Sequence, residues 1–583
     1  MPAVWGTHSK RRYEYRCGKQ ECSRHDVAHA LVRAVSTLVS RPWPSCCGLF
    51  LFAITAFAQP LDLIVRNARI WTGDAKKPWA DSLAVSGDLV TAVGAVQGTA
   101  PKVIDAGGRL ITPGFIDSHV HMLDGGLRLT SVQLRDARTK PEFIDRIRKF
   151  AATVPEGAWI IGGDWDHEQW GGELPTRAWI DSVTPKHPVW VHRLDGHMAL
   201  ANSVAIQIAR VTRRTPNVDG GTIVRDSQGE PSGVFKDNAM EMIESHRSAL
   251  TLQDVIKALE AAQQYLLPFG VTTVHNMGGI LETDALEQIR TSGRLKIRVY
   301  AGVPIAHVGH IKGRMIAGER GDRWLRIGLM KGFLDGSLGS HTAAFHEPYT
   351  DAPKDRGLLV TTPEDIRMRI TPSHNVGVQV AIHAIGDRAN TLLLDVYEWL
   401  AKVYGPMGFR WRIEHAQHLR AEDIPRMAKL GVVASMQPYH AIDDGRWADK
   451  VIGPLRAKMT YAFRSLLDAK VNLAFGSDWF VAPANVMEGI YAAVTRRTLD
   501  GKHPNGWVPE QKITVEEALR AYTYGGAFAG YEENYKGTLT PGKLADFVML
   551  DRDITKIPPT QIKDVKVLMT VVGGKVAYDR SAH

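Results

Sequence analysis

The sequence predicts an α/β fold: a (β/α)₈ barrel of the TIM type with an inserted subdomain after its first strand. A small β-sandwich formed from both ends of the mature chain completes it. Three observations predict this. The middle of the chain alternates short apolar runs with helical stretches, as βαβ units around a parallel sheet do. Both ends carry alternating, turn-punctuated runs typical of β-hairpins, such as LDLIVRNARIWTG near the start and KVLMTVVGGKVAYD at the end. Finally, the interval between the first two barrel runs is too long for a simple βα connection.

Taken in order, residues 1–58 read as a signal region. Arg33 and Arg41 precede an apolar run from Cys46 to Phe57, and Ala56-Phe57-Ala58 forms an A-x-A cleavage pattern before Gln59. The run is shorter than the roughly 20 apolar residues a bilayer span needs, so no stable membrane span is expected. The reading implies a periplasmic or secreted protein, with a cytoplasmic one as the alternative. Signal peptides occupy roughly 15–30 residues, so the stretch before Val32 is read as an over-extended start, with translation beginning near Val32–Val39. Residues 59–109 give the first part of the sandwich and 530–583 the second. Residues 110–529 give the barrel, with the insert at about 124–260. Its eight strands are expected at Leu110–Val120, Val271–Asn276, Ile297–Val303, Ile327–Phe333, Val378–His383, Trp411–His415, Val432–Met436 and Val471–Ser477.

The formal net charge of +9 does not signal a polyanion. Eight Lys and Arg against three Asp and Glu lie before Gln59, so only +4 remains on the long rest of the chain. No nucleic-acid partner is expected; a small-molecule substrate is, and a homo-oligomer is allowed. All four cysteines also lie before Gln59. A mature chain without them has no disulfide, thiolate metal site or cysteine nucleophile.

The chemistry lies at the ends of the predicted strands. In His119-Val120-His121, residues two apart on a strand point the same way, so both imidazoles can approach one metal ion. Lys331 ends IGLMK, His383 ends VQVAIH, His415 ends WRIEH and Asp478 follows LAFGS. Singly each has an ordinary reading: a lysine reaching solvent, a hydrogen-bonded core histidine, a capping aspartate. Together they place nitrogen and oxygen ligands at the C-terminal rim, where barrels of this kind carry functional side chains.

These residues, with ITPGFIDSHVH, VHRLDGHMALANS, GVFKDNAM, MKGFLDGSLGSHTA, AIHAIGDRAN, RIEHAQ, GSDWFVAP and GTLTPGKLADFVMLD, resemble the amidohydrolase superfamily of metal-dependent barrels. More narrowly, they resemble its YtcJ-like branch, amidohydrolase family 3. The resemblance runs from about Ile64 to the C-terminus. It implies His119 and His121 as ligands of a first metal, Lys331 as a bridging and carboxylated position, and His383 and His415 as ligands of a second. Asp478 would be both metal contact and catalytic acid/base. His341 departs from the pattern, where many relatives carry Arg. One or two divalent ions are expected, Zn²⁺ first, with Mn²⁺, Fe²⁺ or Ni²⁺ also suited to imidazole and carboxylate.

The expected activity is hydrolysis of a non-peptide C–N bond, in a small amide or an N-acyl or N-formyl amine, by metal-activated water. His197, in LDGHMALANS, is a candidate substrate contact that would polarise the carbonyl. Glu414 and Asp387 are candidates for ordering the ligands, while Trp165 and Trp170 read as core packing. The alternatives are a deaminase, lactonase or other hydrolase on the same barrel. A non-catalytic periplasmic binding protein is less favoured, because all six ligand positions are present.

Overall fold

The computed structural model describes residues 60–582, apart from 248, 406 and 407. The signal region and all four cysteines lie outside the described residues. Among those residues, no helix is long and apolar enough to cross a membrane.

Eight strands follow one another in chain order around one sheet. They are β1 (Phe115–Val120), β2 (Val271–Asn276), β3 (Arg298–Pro304), β4 (Leu325–Phe333), β5 (Gln379–Ala384), β6 (Arg412–His415), β7 (Val433–Met436) and β8 (Asn472–Phe475). Each pairs in parallel with the next, so all their C-terminal ends reach one rim. The ring closes there between β1 and the segment after β8. The Asp478 N–H donates to His119 O and the His121 N–H to Trp479 O, each at 2.8 Å. Gly476 permits this approach, since a Cβ there would lie 2.6 Å from the His119 nitrogen. The chain therefore has a TIM-type barrel, with strands buried on both faces that read as continuous apolar runs.

All eight expected strands are present, but Leu110–Val120 is two strands rather than one. Leu110–Pro113 pairs with Arg69–Trp71 and Phe547–Leu550 outside the barrel, and only Phe115–Val120 enters the ring. The break falls at Gly114, where a Cβ would overlap the Thr272 side chain at the start of β2. Hydrophobicity cannot reveal this division, because both halves are fully buried.

The chain ends build two facing sheets. One holds Leu89–Val93, Leu83–Ser86, Leu63–Arg66 and Lys102–Asp105; the other joins Lys575–Asp579, Val567–Val572 and Phe547–Leu550 to Leu110–Pro113, Arg69–Trp71 and Trp79–Ala80. Leu63, Val65, Leu83, Val85, Ile111, Phe547 and Val571 share their core. This unit is fastened to the barrel by Arg298 of β3, whose buried guanidinium grips both oxygens of Asp546 at 2.7 and 3.0 Å.

Between β1 and β2, six strands from Val132–Gln133 to Pro231–Asp237 form a separate mixed sheet. Trp165, fully buried, packs in its core and half-buried Trp170 packs against it, as expected. The loops after the sheet's inner strands Ile160–Trp165 and Val189–Arg193, with Asp166 and Asp195, lie over the barrel rim. The chain then returns through helix Leu252–Leu266, opened by a capping box between Thr251 and Asp254, which satisfies end N–H groups on both residues.

Candidate metal centre

The six residues expected at the rim all reach it. His119 lies in β1, His121 just beyond it, Lys331 in β4, His383 in β5, His415 at the end of β6 and Asp478 three residues past β8. His119 Nε2 is 3.6 Å and His121 Nε2 3.3 Å from Asp478 Oδ1. His415 Nδ1 is 4.0 Å from Asp478 Oδ2, and Lys331 Nζ is 3.2 Å from His119 Nε2. The His383 ring lies against His415, with centroids 4.5 Å apart. One ligand atom each from His119, His415 and Asp478 fall within 4.8 Å of one another. The backbone is unusual where it delivers two of these groups: His415 has φ 74° and Asp478 φ 60°. Left-handed conformations at non-glycine residues cost of order 1–3 kcal/mol and gather at functional sites.

A divalent ion fits this donor set. Asp478 Oδ1 is buried with no hydrogen-bond partner among the described residues, although imidazole nitrogens converge on it. The imidazoles of His119, His383 and His415 are kept neutral, the form that ligates. Burial brings His119 down to about 4, with the Lys331 charge adding to the effect, and holds His383 and His415 well below the ordinary value. Burial would raise Asp478, but His119, His121 and His415 outweigh it and keep the carboxylate ionised. Burial also lowers Lys331 to about 8, against the pull of Glu414 and Asp478.

Supporting hydrogen bonds select the free nitrogen on each ring. His119 Nδ1–H donates to Glu414 Oε2 at 2.5 Å, leaving Nε2 toward the cluster. His415 Nδ1 is engaged by Gln437 Oε1 at 2.8 Å, and His383 Nε2 by Gly336 O at 3.0 Å. Glu414 is itself gripped by Arg412, at 2.7 Å through Nε and 3.1 Å through Nη2. Burial pushes Glu414 up, yet Arg412, His119 and Lys331 bring it to about 2, so it accepts as a carboxylate. Such outer partners fix the tautomer and direction of ligating histidines.

The family model described as the amidohydrolase family matches residues 102–578. The chain belongs to that family. Protein LONG AFTER FAR-RED 3 of Arabidopsis thaliana is 40% identical over 538 residues, 89% of this chain and 91% of that protein. Putative amidohydrolase YtcJ of Bacillus subtilis is 30% identical over 82% of this chain and 90% of its own, in accord with the branch expected above. N-substituted formamide deformylase of Arthrobacter pascens is 26% identical, over 90% of this chain and 99% of its own. Among solved structures, an uncharacterized metal-dependent hydrolase from Pyrococcus horikoshii OT3 aligns with TM-score 0.70 and 29% identity, covering 85% of this chain and 99% of that one. The chain is thus an amidohydrolase of the metal-dependent kind.

This amidohydrolase has a cavity of about 400 Å³ directly over the cluster. His121, Lys331, His383, His415 and Asp478 line it below, and His197 from the insert lines it above. Glu414 holds a histidine as expected. Asp387 does not: it accepts from the His346 backbone N–H at 2.9 Å and anchors a loop at a helix start. His341 is not part of the lining; its Nε2 faces Asp351 at 3.0 Å.

Sequence reasoning missed Gln437, Asp335 and Asp237. Asp335 sits in FLDGSLG and looks like a turn residue, but accepts from the backbone N–H groups of Ala344, Ile385 and Gly386. Its Oδ1 also lies 3.7 Å from His383 Nε2. Gln437 follows β7 as Asp478 follows β8, a placement that could have flagged it.

Proposed function

We propose that the chain hydrolyses a C–N bond in a small non-peptide amide, with an N-substituted formamide or N-acyl amine as the substrate class. One observation carries the reading. An unpartnered, ionised Asp478 oxygen lies among imidazoles under a cavity, and the 26%-identical relative named for N-substituted formamides aligns across nearly its whole length. His119, His121, Lys331, His383, His415 and Asp478 would hold one or two divalent ions, with Zn²⁺ the first candidate for such N and O ligands.

When bound, the ion would polarise the substrate carbonyl and lower the pKa of a water from 15.7 to about 7. Asp478 orients the attacking water, takes its proton and delivers that proton to the departing nitrogen. Lys331 enters as a carbamate: its neutral amine attacks CO₂, loses one N–H proton and becomes an anionic oxygen ligand. Its lowered proton affinity, caused by burial, favours that neutral amine. The insert covers part of the cavity, and shielding a site from water strengthens electrostatic contacts within it.

The test is a panel of N-substituted formamides, N-acyl amines, cyclic imides, lactones and amino-purines, run on protein of measured metal content. Metal-dependent turnover of formamides or N-acyl amines is expected. Turnover confined to lactones or amino-purines would overturn the bond assignment.

A further inference from the structure

The insert does more than cover the rim. Its strands Met198–Ala201 and Pro231–Asp237 are antiparallel neighbours, and the residues at their rim ends face each other. There His197 Nδ1 meets Asp237 Oδ1 at 2.6 Å. The backbone locks the same pair, since the Asp237 N–H donates to His197 O at 3.0 Å and the His197 N–H to Asp195 Oδ1 at 3.2 Å. The His197 ring lies over the centre, its centroid 5.0 Å from His383 and 6.3 Å from Phe333.

Two features of Asp237 exceed what a structural ion pair needs. Its backbone has φ 47° and ψ −127°, a strained conformation for a residue with a side chain. Its second oxygen, Oδ2, is buried without a hydrogen-bond partner among the described residues. The carboxylate is also seated against the barrel: a Cβ at Gly336 would collide first with Thr342, at Oγ1 and at 2.6 Å from Cβ, and would lie 2.9 Å from Asp237 Oδ1. Gly336 is the residue whose carbonyl engages His383 Nε2. The Asp237–His197 pair and His383 thus both lie against the same glycine of the barrel.

We propose that His197 is a catalytic residue of the insert, contacting the scissile amide through Nε2, and that Asp237 is its positioning residue. Asp237 occupies Nδ1 and leaves Nε2 as the polar edge available to the cavity. The substrate amide then lies between the rim cluster below and His197 above, which favours flat, unhindered amides. This rests on the hydrolase reading above.

Asp237→Asn is the informative change, because Asn has the same shape as Asp and removes only the charge. With the best formamide of the panel as probe, kcat should fall ~10²-fold or more, as for a mispositioned catalytic group. KM should stay within about threefold and metal content should match wild type. His197→Ala should fall at least as far and be partly restored by added imidazole. The His197→Ala/Asp237→Asn double variant should be no slower than His197→Ala alone, since the two residues act as a unit. An Asp237→Asn enzyme with wild-type kcat, or a double variant whose losses multiply, would overturn the inference. A wild-type protein that binds metal but turns over nothing on the panel would overturn the hydrolase reading itself, and this inference with it. If Asp237→Asn fails to fold, imidazole rescue of His197→Ala decides alone, and its absence counts against the proposal.

Discussion

Replacing Arg412 by Met should disarm the centre from beneath without touching a ligand. The guanidinium is fully buried and makes five hydrogen bonds: two to Glu414, and one each to His275 Nδ1 (2.8 Å), Ser118 O (2.7 Å) and Ser435 Oγ (2.9 Å). It therefore ties β1, β2, β6 and β7 together below the histidines. With Arg412 as the main opposing charge, Glu414 stays at about 2 rather than the ordinary 4.5 despite burial. That difference corresponds to about 3 kcal/mol of stability at neutral pH. Breaking a buried pair by removing one partner costs a comparable amount, roughly 3–5 kcal/mol. Because the folded-state value is depressed, the contribution is complete above pH 4.5 and is lost as pH falls through about 2. Metal-free Arg412→Met should thus unfold at lower urea at pH 7, with a gap from wild type that narrows as the pH drops from 5 toward 3. Its affinity for Zn²⁺, measured against a competing chelator, should weaken ~10- to 100-fold as His119 loses its orientation. Equal urea midpoints together with equal Zn²⁺ affinity would refute the chain of control from Arg412 through Glu414 to His119.

Asp478→Asn should retain much of its metal while kcat drops by about 10² or more, because the proton carrier is gone; steady-state kinetics beside metal quantification checks both halves. Lys331→Ala should be inactive and partly restored by a short carboxylic acid such as propionate, and full activity without added acid would remove the carbamate. Arg298→Met should leave Asp546 buried and unpaired and cost roughly 3–5 kcal/mol by chemical denaturation. Its kcat should change little, since the pair lies at the opposite end of β3 from the cavity.

The six rim residues were legible because strand geometry makes them so. Each falls near or just past the end of a largely apolar strand run, and the period of two sends both histidines of the His119–His121 pair the same way. Glu414 was legible for a related reason: it stands beside His415 in a fully buried strand, where only a paired carboxylate can sit. The partners were harder. Asp237, Asp335 and Gln437 act across sequence separations of tens of residues; nothing local distinguishes the two aspartates from turn residues, and only its place after β7 marks Gln437. Leu110–Val120 misled because the pattern of buried residues is continuous across Gly114, while the decisive contact comes from Thr272, far away in the chain. The insert was visible by its length, but the pairing that brings His197 to Asp237 was not.

The most direct test is to load the purified protein with Zn²⁺, count the ions and locate them by anomalous diffraction. One or two ions per chain are expected, about 2.0–2.2 Å from imidazole nitrogens of His119, His121, His383 or His415 and from an oxygen of Asp478. A chain that takes up no divalent ion, or carries it away from these residues, would contradict this expectation.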